Sequence, residues 1–367
     1  MYRVRDIKAI ADSLAPEKLA LDWDNSGLQI GDLNEKIDSI LITLDVNEKV
    51  IDEAVRKACQ LIISHHPMIF KPVKRITEDD NTGRLIIKAI RNKINIYSMH
   101  TNLDIAGKGL NDYLAALLEL RDIKELKITK EEILYKIVVY IPEDHFETVK
   151  DAILKAGAGF IGNYSHTSFS QTGEGTFKPL NESNPFLGEK NKINRVREYR
   201  FETIVREENL KEVFSAIEKY HPYEEPAVDL FSLSNQKIKY GIGRIGFLEE
   251  EILLGEFLNK VKKSFELKQL RYVGDLNAGI RCIAVCSGSG ADFIEIAAKK
   301  GADLLLTSDI KYHQAQYAEQ LGIALADIGH YQTEHYVKTL LHDYFSCKLE
   351  GVKIFRSELN TDPWKYD

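Results

Sequence analysis

The apolar positions of this chain fall into short unbroken runs separated by helical patterns. Ser39-Ile40-Leu41-Ile42-Thr43-Leu44-Asp45 and Leu61-Ile62-Ile63-Ser64 lack the polar alternation of a strand with one wet face. Such runs predict strands buried on both sides in a parallel sheet. A helical pattern over 47–59 lies between them, so the order is β-α-β with a right-handed crossover. Helices are expected at 5–20, closing near Pro16, at 83–91 and at 109–118, with a strand at 94–98. The last third repeats this logic. It predicts strands at 281–286, 303–307, 323–328 and 352–355, and helices at 292–300 and 312–320. A single long helix is expected over 331–345.

By pattern, 40–45 overlays on 283–286, 61–66 on 304–309, and 96–104 on 326–334. The two outer thirds therefore read as a degenerate duplication. The middle differs. It predicts a strand at 134–141, a helix at 143–156, a Gly/Ser/Asn/Thr-rich stretch over 157–184, a strand at 195–205, a helix at 209–220 and a strand at 227–233. That order suggests a ferredoxin-like α+β domain. The expected organisation is α/β: two related parallel-sheet halves form one outer domain, residues 1–127 plus 236–367, interrupted by an inserted domain over 128–235.

Composition narrows the class. The chain has 367 residues, 44% hydrophobic and 29% charged, as in ordinary globular proteins. The net charge of −7 argues against a nucleic-acid groove, which needs concentrated Lys and Arg. No stretch approaches the ~18 apolar residues of a membrane span, and the amphipathic, charged N-terminus is unlike a signal peptide. A cytoplasmic protein is expected. Cys59, Cys282, Cys286 and Cys347 do not follow zinc-ribbon spacing and read as buried thiols in a reducing compartment.

The chemistry lies at the strand ends. Ser64-His65-His66-Pro67 follows one buried strand, His100 follows a second and His330 a third. Asp104 and Glu334 each stand four residues after a histidine. Ligands of parallel α/β sheets gather beyond the carboxyl ends of strands, so these groups can converge at one edge. Pro67 holds His66 extended, and two adjacent imidazoles favour two metals sharing a site over one metal held by both. Asp104 and Glu334 are then the bridging or capping carboxylates. Asp45 and Asp309, also at strand ends, are placed to orient the histidines. Helix capping is their alternative role. Thr101, Asn102, Asp24, Asn25 and Ser26 can brace the site or fold over it, with turn chemistry as the alternative. Gly288-Ser289-Gly290 reads as a plain strand-to-helix turn. His145, His166 and His221 form no motif.

SHHP at 64–67, SMHTNLD at 98–104 and DIGHYQTE at 327–334 resemble the Nif-three-like family of GTP cyclohydrolase I type 2 homologs. DWDNSGLQIG at 22–31 and LLLTSDIKYHQA at 304–315 are similar to segments of the same family. The middle, with HPYEEPA at 221–227, resembles the PII/CutA-like insert of its long bacterial members. The resemblance implies a toroidal homohexamer with two divalent metal ions per subunit. It also implies His65, His66, Asp104, His330 and Glu334 as the ligands, with His100 as a ligand or a site-lining neighbour. Zinc suits this mixed ligation best, with iron and manganese also compatible.

The expected chemistry is metal-dependent hydrolysis. A metal-bridging water gives up its proton near neutral pH and attacks a nucleotide, cyclic amide or phosphoester substrate. His100 and His313 are the candidate proton donors to the leaving group. The rival expectation is a metal-bound ring scaffold or regulatory protein whose insert senses a small molecule or a protein. Nucleic acid in the ring's central hole is a third idea, disfavoured by the acidic balance.

Overall fold

The computed structural model describes residues 1–365, so the last two residues of the expected outer domain lie outside the described residues. The backbone divides into two compact units, one formed by Met1–Lys130 with Tyr240 onward, the other by Glu131–Lys239. Strands Arg121–Pro142 and Val228–Leu253 each give residues to both units.

The discontinuous unit holds two sheets of matching topology. The first runs in the order Lys353–Arg356, Ser39–Thr43, Leu61–Ser64, Asn95–Ser98, Gly27–Ile30. Its first four strands are mutually parallel, and Gly27–Ile30 is an antiparallel edge. The second begins at Arg271–Val273 and continues through Ala324–Asp327, Leu304–Thr307 and Gly279–Val285. Again the edge strand is antiparallel and the other three are parallel. The strands paired by the sequence overlay thus take equivalent places. The sheets differ at the far neighbour: Ser39–Thr43 has a parallel partner, whereas Gly279–Val285 has Val228–Leu253 running antiparallel.

Every residue of Ser39–Thr43, Leu61–Ser64, Asn95–Ser98, Leu304–Thr307 and Ala324–Asp327 is buried. Alternation along the strand sorts the side chains between two helical layers. Ile40, Ile42, Leu61 and Ile63 pack with Val4, Ile7, Val337 and Leu341, while Leu41 and Ile62 face Val50, Ile51, Leu85 and Ala89. In the second sheet Leu304 and Leu306 face Leu114, Leu254 and Phe257, and Leu305 faces Ile294, Ala297 and Ala318. Both faces being covered is why the sequence runs are continuously apolar.

The other unit has the order strand, helix, strand, strand, helix, strand, with Val228–Leu253, Arg121–Pro142, Asn194–Arg206 and Ser168–Phe177 as neighbours in that sequence. Helices Phe146–Lys155 and Leu210–Tyr220 supply Val149, Ile153, Val213 and Ile217 to one core with Ile137, Val139 and Phe201.

Three expectations need correction. Ser168–Phe177 lies inside the stretch read as a polar loop, yet it pairs along ten positions with Asn194–Arg206. It is an edge strand with almost no buried side chain, so it carries no apolar period. The long helix expected at 331–345 is two, His330–Glu334 and Val337–Ser346. Bonds from the Lys338 N–H to the His335 carbonyl and from the Thr339 N–H to the Tyr336 carbonyl tighten the turn between them. Cys347 is exposed, unlike the other three thiols; it stands just past the end of the second helix, beyond its packed face.

Arg244 locks the turn that follows the Asp104 segment. Its guanidinium donates to both oxygens of Asp112, at 2.6 and 3.0 Å, and to the carbonyls of Ala106, Gly241 and Gly243. Removing the counter-charge leaves a buried cation. Asp112→Ala is expected to cost about 3 kcal/mol in chemical denaturation, and an unchanged denaturation midpoint would show that the carbonyls alone hold Arg244.

Candidate metal centre

Two neighbouring parallel strands of the first sheet end side by side, and the chain spends both ends on imidazoles. Leu61–Ser64 delivers His65 and His66, and Asn95–Ser98 delivers His100 through Met99. Ala324–Asp327 of the second sheet delivers His330, and Glu334 closes the short helix His330–Glu334. Asp104 lies on the equivalent short helix Thr101–Ile105. The five expected ligands therefore come from both duplicated halves.

Each ring is held by Nδ1, which leaves Nε2 to face inward. His65 Nδ1 is 2.7 Å from the Met99 carbonyl oxygen. A carbonyl only accepts, so Nδ1 carries the proton. His66 Nδ1 is 2.7 Å from Asp45 Oδ1, His100 Nδ1 is 2.7 Å from Asp24 Oδ1, and His330 Nδ1 is 2.7 Å from Asp309 Oδ2. Asp45 and Asp309 thus orient histidines; the helix after Asp45 is capped by Asn47 instead. Thr361 donates to the free oxygen of Asp45.

Glu334 is the hub. Its Oε2 is 2.8 Å from His66 Nε2 and 2.9 Å from His330 Nε2, and its Oε1 is 3.8 Å from His65 Nε2. Asp104 Oδ1 is also 3.8 Å from His65 Nε2 and accepts from Ser287 Oγ at 2.8 Å. Those 3.8 Å separations exceed a hydrogen bond, and His65 Nε2 is buried with no partner among the described residues. A buried lone pair aimed between two carboxylates is the donor set of a cation site, and imidazole with carboxylate suits zinc, iron or manganese. One ligand atom from each of His65, His66 and His100 lies within 4.8 Å of the others; the same holds for His66, His330 and Glu334.

The charges show what the site wants. Burial disfavours the imidazolium of His66, yet Asp45 and Glu334 overcome it and push its pKa to about 10. At His330 burial is likewise outweighed by Glu334 and Asp309, giving about 9. Burial raises the Asp104 carboxyl, opposed by His65 and reinforced by the Glu334 charge. Burial works against the Glu334 carboxylate too, but His330, His65 and His66 hold its pKa well below the usual range. Protons on imidazoles here balance carboxylates that a metal would balance directly.

Not every expected residue joins. His313 is exposed on the helix Tyr312–Leu321, with Nδ1 3.1 Å from Gln316 Oε1, and, like Asp104, stands outside both groups of close ligand atoms. Asp24 braces the site: it holds His100 and accepts from the Thr101 N–H and hydroxyl. Asn102 is buried and donates to the Ala15 carbonyl. The Gly288-Ser289-Gly290 turn spends its amides internally, Gly288 N–H on Thr333 Oγ1 and Gly290 N–H on Thr307 Oγ1. In the inserted unit, His221 pairs with the Tyr140 carbonyl. Sequence reasoning missed Ser287, and Asn111, which binds the Asp104 carbonyl and Ser287. Asn111 shares the buried side of the helix Leu110–Leu117 with Leu110, Leu114 and Ala115, and an amide at that register was the available signal. It also missed Gly288, where any Cβ would collide with Glu334 Oε1.

Two sheets of matching topology bring imidazoles and carboxylates together at their strand ends, in groups that could hold a metal ion. The sequence matches the DUF34/NIF3 family (NGG1p interacting factor 3) over residues 2–363, and the chain belongs to that family. It is 42% identical over 355 residues to a Halalkalibacterium halodurans protein named GTP cyclohydrolase 1 type 2 homolog, covering 96% of this chain and 95% of that one. The Bacillus subtilis protein of the same name is 41% identical over 365 residues, covering 99% of this chain and 98% of that one. A solved Bacillus cereus protein related to NIF3 matches with a TM-score of 0.90 at 41% identity, covering 100% of this chain and 99% of that one.

Two outcomes follow from this geometry. Gly288→Ala should displace Glu334 and weaken zinc binding about 10–100-fold in chelator competition, with circular dichroism unchanged. Zinc uptake at pH 7.5 should release protons, because ligation needs neutral Nε2 on His66 and His330, whose raised pKa values keep them protonated without metal. Apparent affinity should therefore fall as pH drops below about 10, more steeply below about 9, and release should fade above about 10. Calorimetry in two buffers of different ionisation enthalpy measures it.

Proposed function

We propose that this chain is a metal-dependent hydrolase of the cyclohydrolase type. His65, His66, Asp104, His330 and Glu334 hold two divalent ions, zinc in the first instance. The observation that carries this reading is the buried, partnerless Nε2 of His65, set between Asp104 and Glu334 at 3.8 Å from each. Bound ions would supply a water acidified to near-neutral pKa and polarise the substrate's electrophilic atom.

The residues do the rest. Asp45, Asp309 and the Met99 carbonyl fix three rings by Nδ1, so their orientation is set before any ion arrives. Ser287 and Asn111 fix Asp104. His100 is the proton donor to the departing nitrogen or oxygen. Its Nδ1 is held by Asp24, and its ring lies 5.3 Å from that of His65 and 5.5 Å from that of His66, beside the ligands. Asp24 is kept ionised: burial opposes this, but His100, Thr101 and Ser26 outweigh it. The homohexameric ring and the reading of residues 128–235 as a ferredoxin-like, PII/CutA-like insert belong to the same proposal, and sedimentation velocity measures the first.

A second reading keeps the metals structural and gives the insert the task of sensing. One feature favours it: a cleft of 1080 Å³ within that unit, lined by Tyr140, Phe177, Phe186, Tyr223 and Glu198 among others.

Anomalous scattering from as-isolated crystals at the zinc, iron and manganese edges should give two peaks beside Glu334. Asp104→Asn should abolish turnover in a screen of nucleotides, cyclic amides and phosphoesters while keeping the fold. A screen in which the wild type turns over nothing, with two ions bound, would favour the sensing reading.

A further inference from the structure

The rim of the metal pocket carries two large aromatic side chains that packing does not explain. Trp23 is 59% exposed and Phe70 is 48% exposed. Contiguous exposed apolar surface beside a pocket marks a place for something to cover it. They face each other at 5.9 Å between centroids, with planes at 60°. Trp23 also meets His100 edge-on at 6.0 Å, so the pair abuts the inner site directly.

Both rings are held in place from below. Residue 24, next to Trp23, is the carboxylate that binds His100 and Thr101. Asn25 Nδ2 donates to the Ile69 carbonyl at 2.5 Å, and the Ile69 N–H donates to Gln29 Oε1 at 3.1 Å. Gln29 in turn donates to the Asn25 carbonyl. The loops that carry Trp23 and Phe70 are thus stitched to each other and to a site histidine. The aromatic surface is pre-organised, and binding to it costs little ordering.

We propose that Trp23 and Phe70 form the substrate-recognition shelf of this centre, and that they select a planar ring of nucleobase size. This deepens the hydrolase reading and rests on it for the word substrate. A ring stacked on Trp23 would lie beside His100, the group assigned to proton donation. The offset, tilted arrangement of the two indole and phenyl planes suits one face and one edge of a flat ligand. A sugar phosphate or an aliphatic amide has no π-face to offer such a shelf.

The test uses full-length Trp364→Phe protein, so that Trp23 is the only indole, with and without zinc. Guanosine monophosphate and pterin are the planar probes, and ribose 5-phosphate is the non-planar control. The expected result is saturable quenching of Trp23 by both planar probes and none by ribose 5-phosphate. Trp23→Ala, followed by calorimetry, and Phe70→Ala should each weaken the planar probes about tenfold or more, whereas Trp23→Phe retains most of the affinity. Zinc content by elemental analysis should be unchanged in all three. No quenching by either planar probe, equal binding of ribose 5-phosphate, or affinity untouched by the alanine variants would overturn the shelf. Trp23 shielded from acrylamide in the free protein would also overturn it, because another surface would then cover the ring. Quenching that persists in protein that takes up no zinc, iron or manganese would leave the shelf standing and remove the hydrolase reading.

Discussion

Everything about this pocket depends on how the imidazole rings are anchored. A histidine offers two nitrogens, and this fold commits one of them. Met99, Asp45, Asp24 and Asp309 each take an Nδ1, so four Nε2 atoms are left to the interior. Had the rings been free to flip, the buried carboxylates of Asp104 and Glu334 would face a shifting set of partners. Anchoring turns them into fixed counter-charges, and the raised pKa values of His66 and His330 are the electrical record of that arrangement. The strands matter chiefly because they put these anchors at the right height.

The pairing of two matching sheets explains why the pocket is complete. The second half alone would bring a histidine and a carboxylate one helical turn apart. Two halves bring His100 with Asp104 and His330 with Glu334, and the His65-His66 pair fills the space between. The halves have diverged: where the first sheet places His66 after its strand, the second places Asp309, which has become the partner of His330.

The sequence made the strands and the clustered imidazoles and carboxylates legible because both obey local rules. Buried parallel strands are unbroken apolar runs, and ligands follow them directly. What stayed hidden was long-range or patternless. Ser287 reaches Asp104 across the whole inserted unit in sequence. The Met99 carbonyl carries no side-chain signature at all. Ser168–Phe177 is wet on nearly every position, so hydrophobic spacing could not reveal it. The break after Glu334 follows from a tightened turn within a sequence whose apolar spacing runs on unbroken. His313 shows the opposite failure: it follows a strand-end motif closely, but its helix carries it into solvent.

The order of the ligands along the chain sets a timetable for synthesis. His65, His66, His100 and Asp104 leave the ribosome early, and the inserted unit, which has its own apolar core, follows them. His330 and Glu334 emerge only afterwards, and Thr361, which steadies Asp45, later still. Until then the early histidines have no hub. The centre is therefore assembled after translation has passed both halves, and a prematurely terminated chain leaves its imidazoles without the carboxylate that joins them.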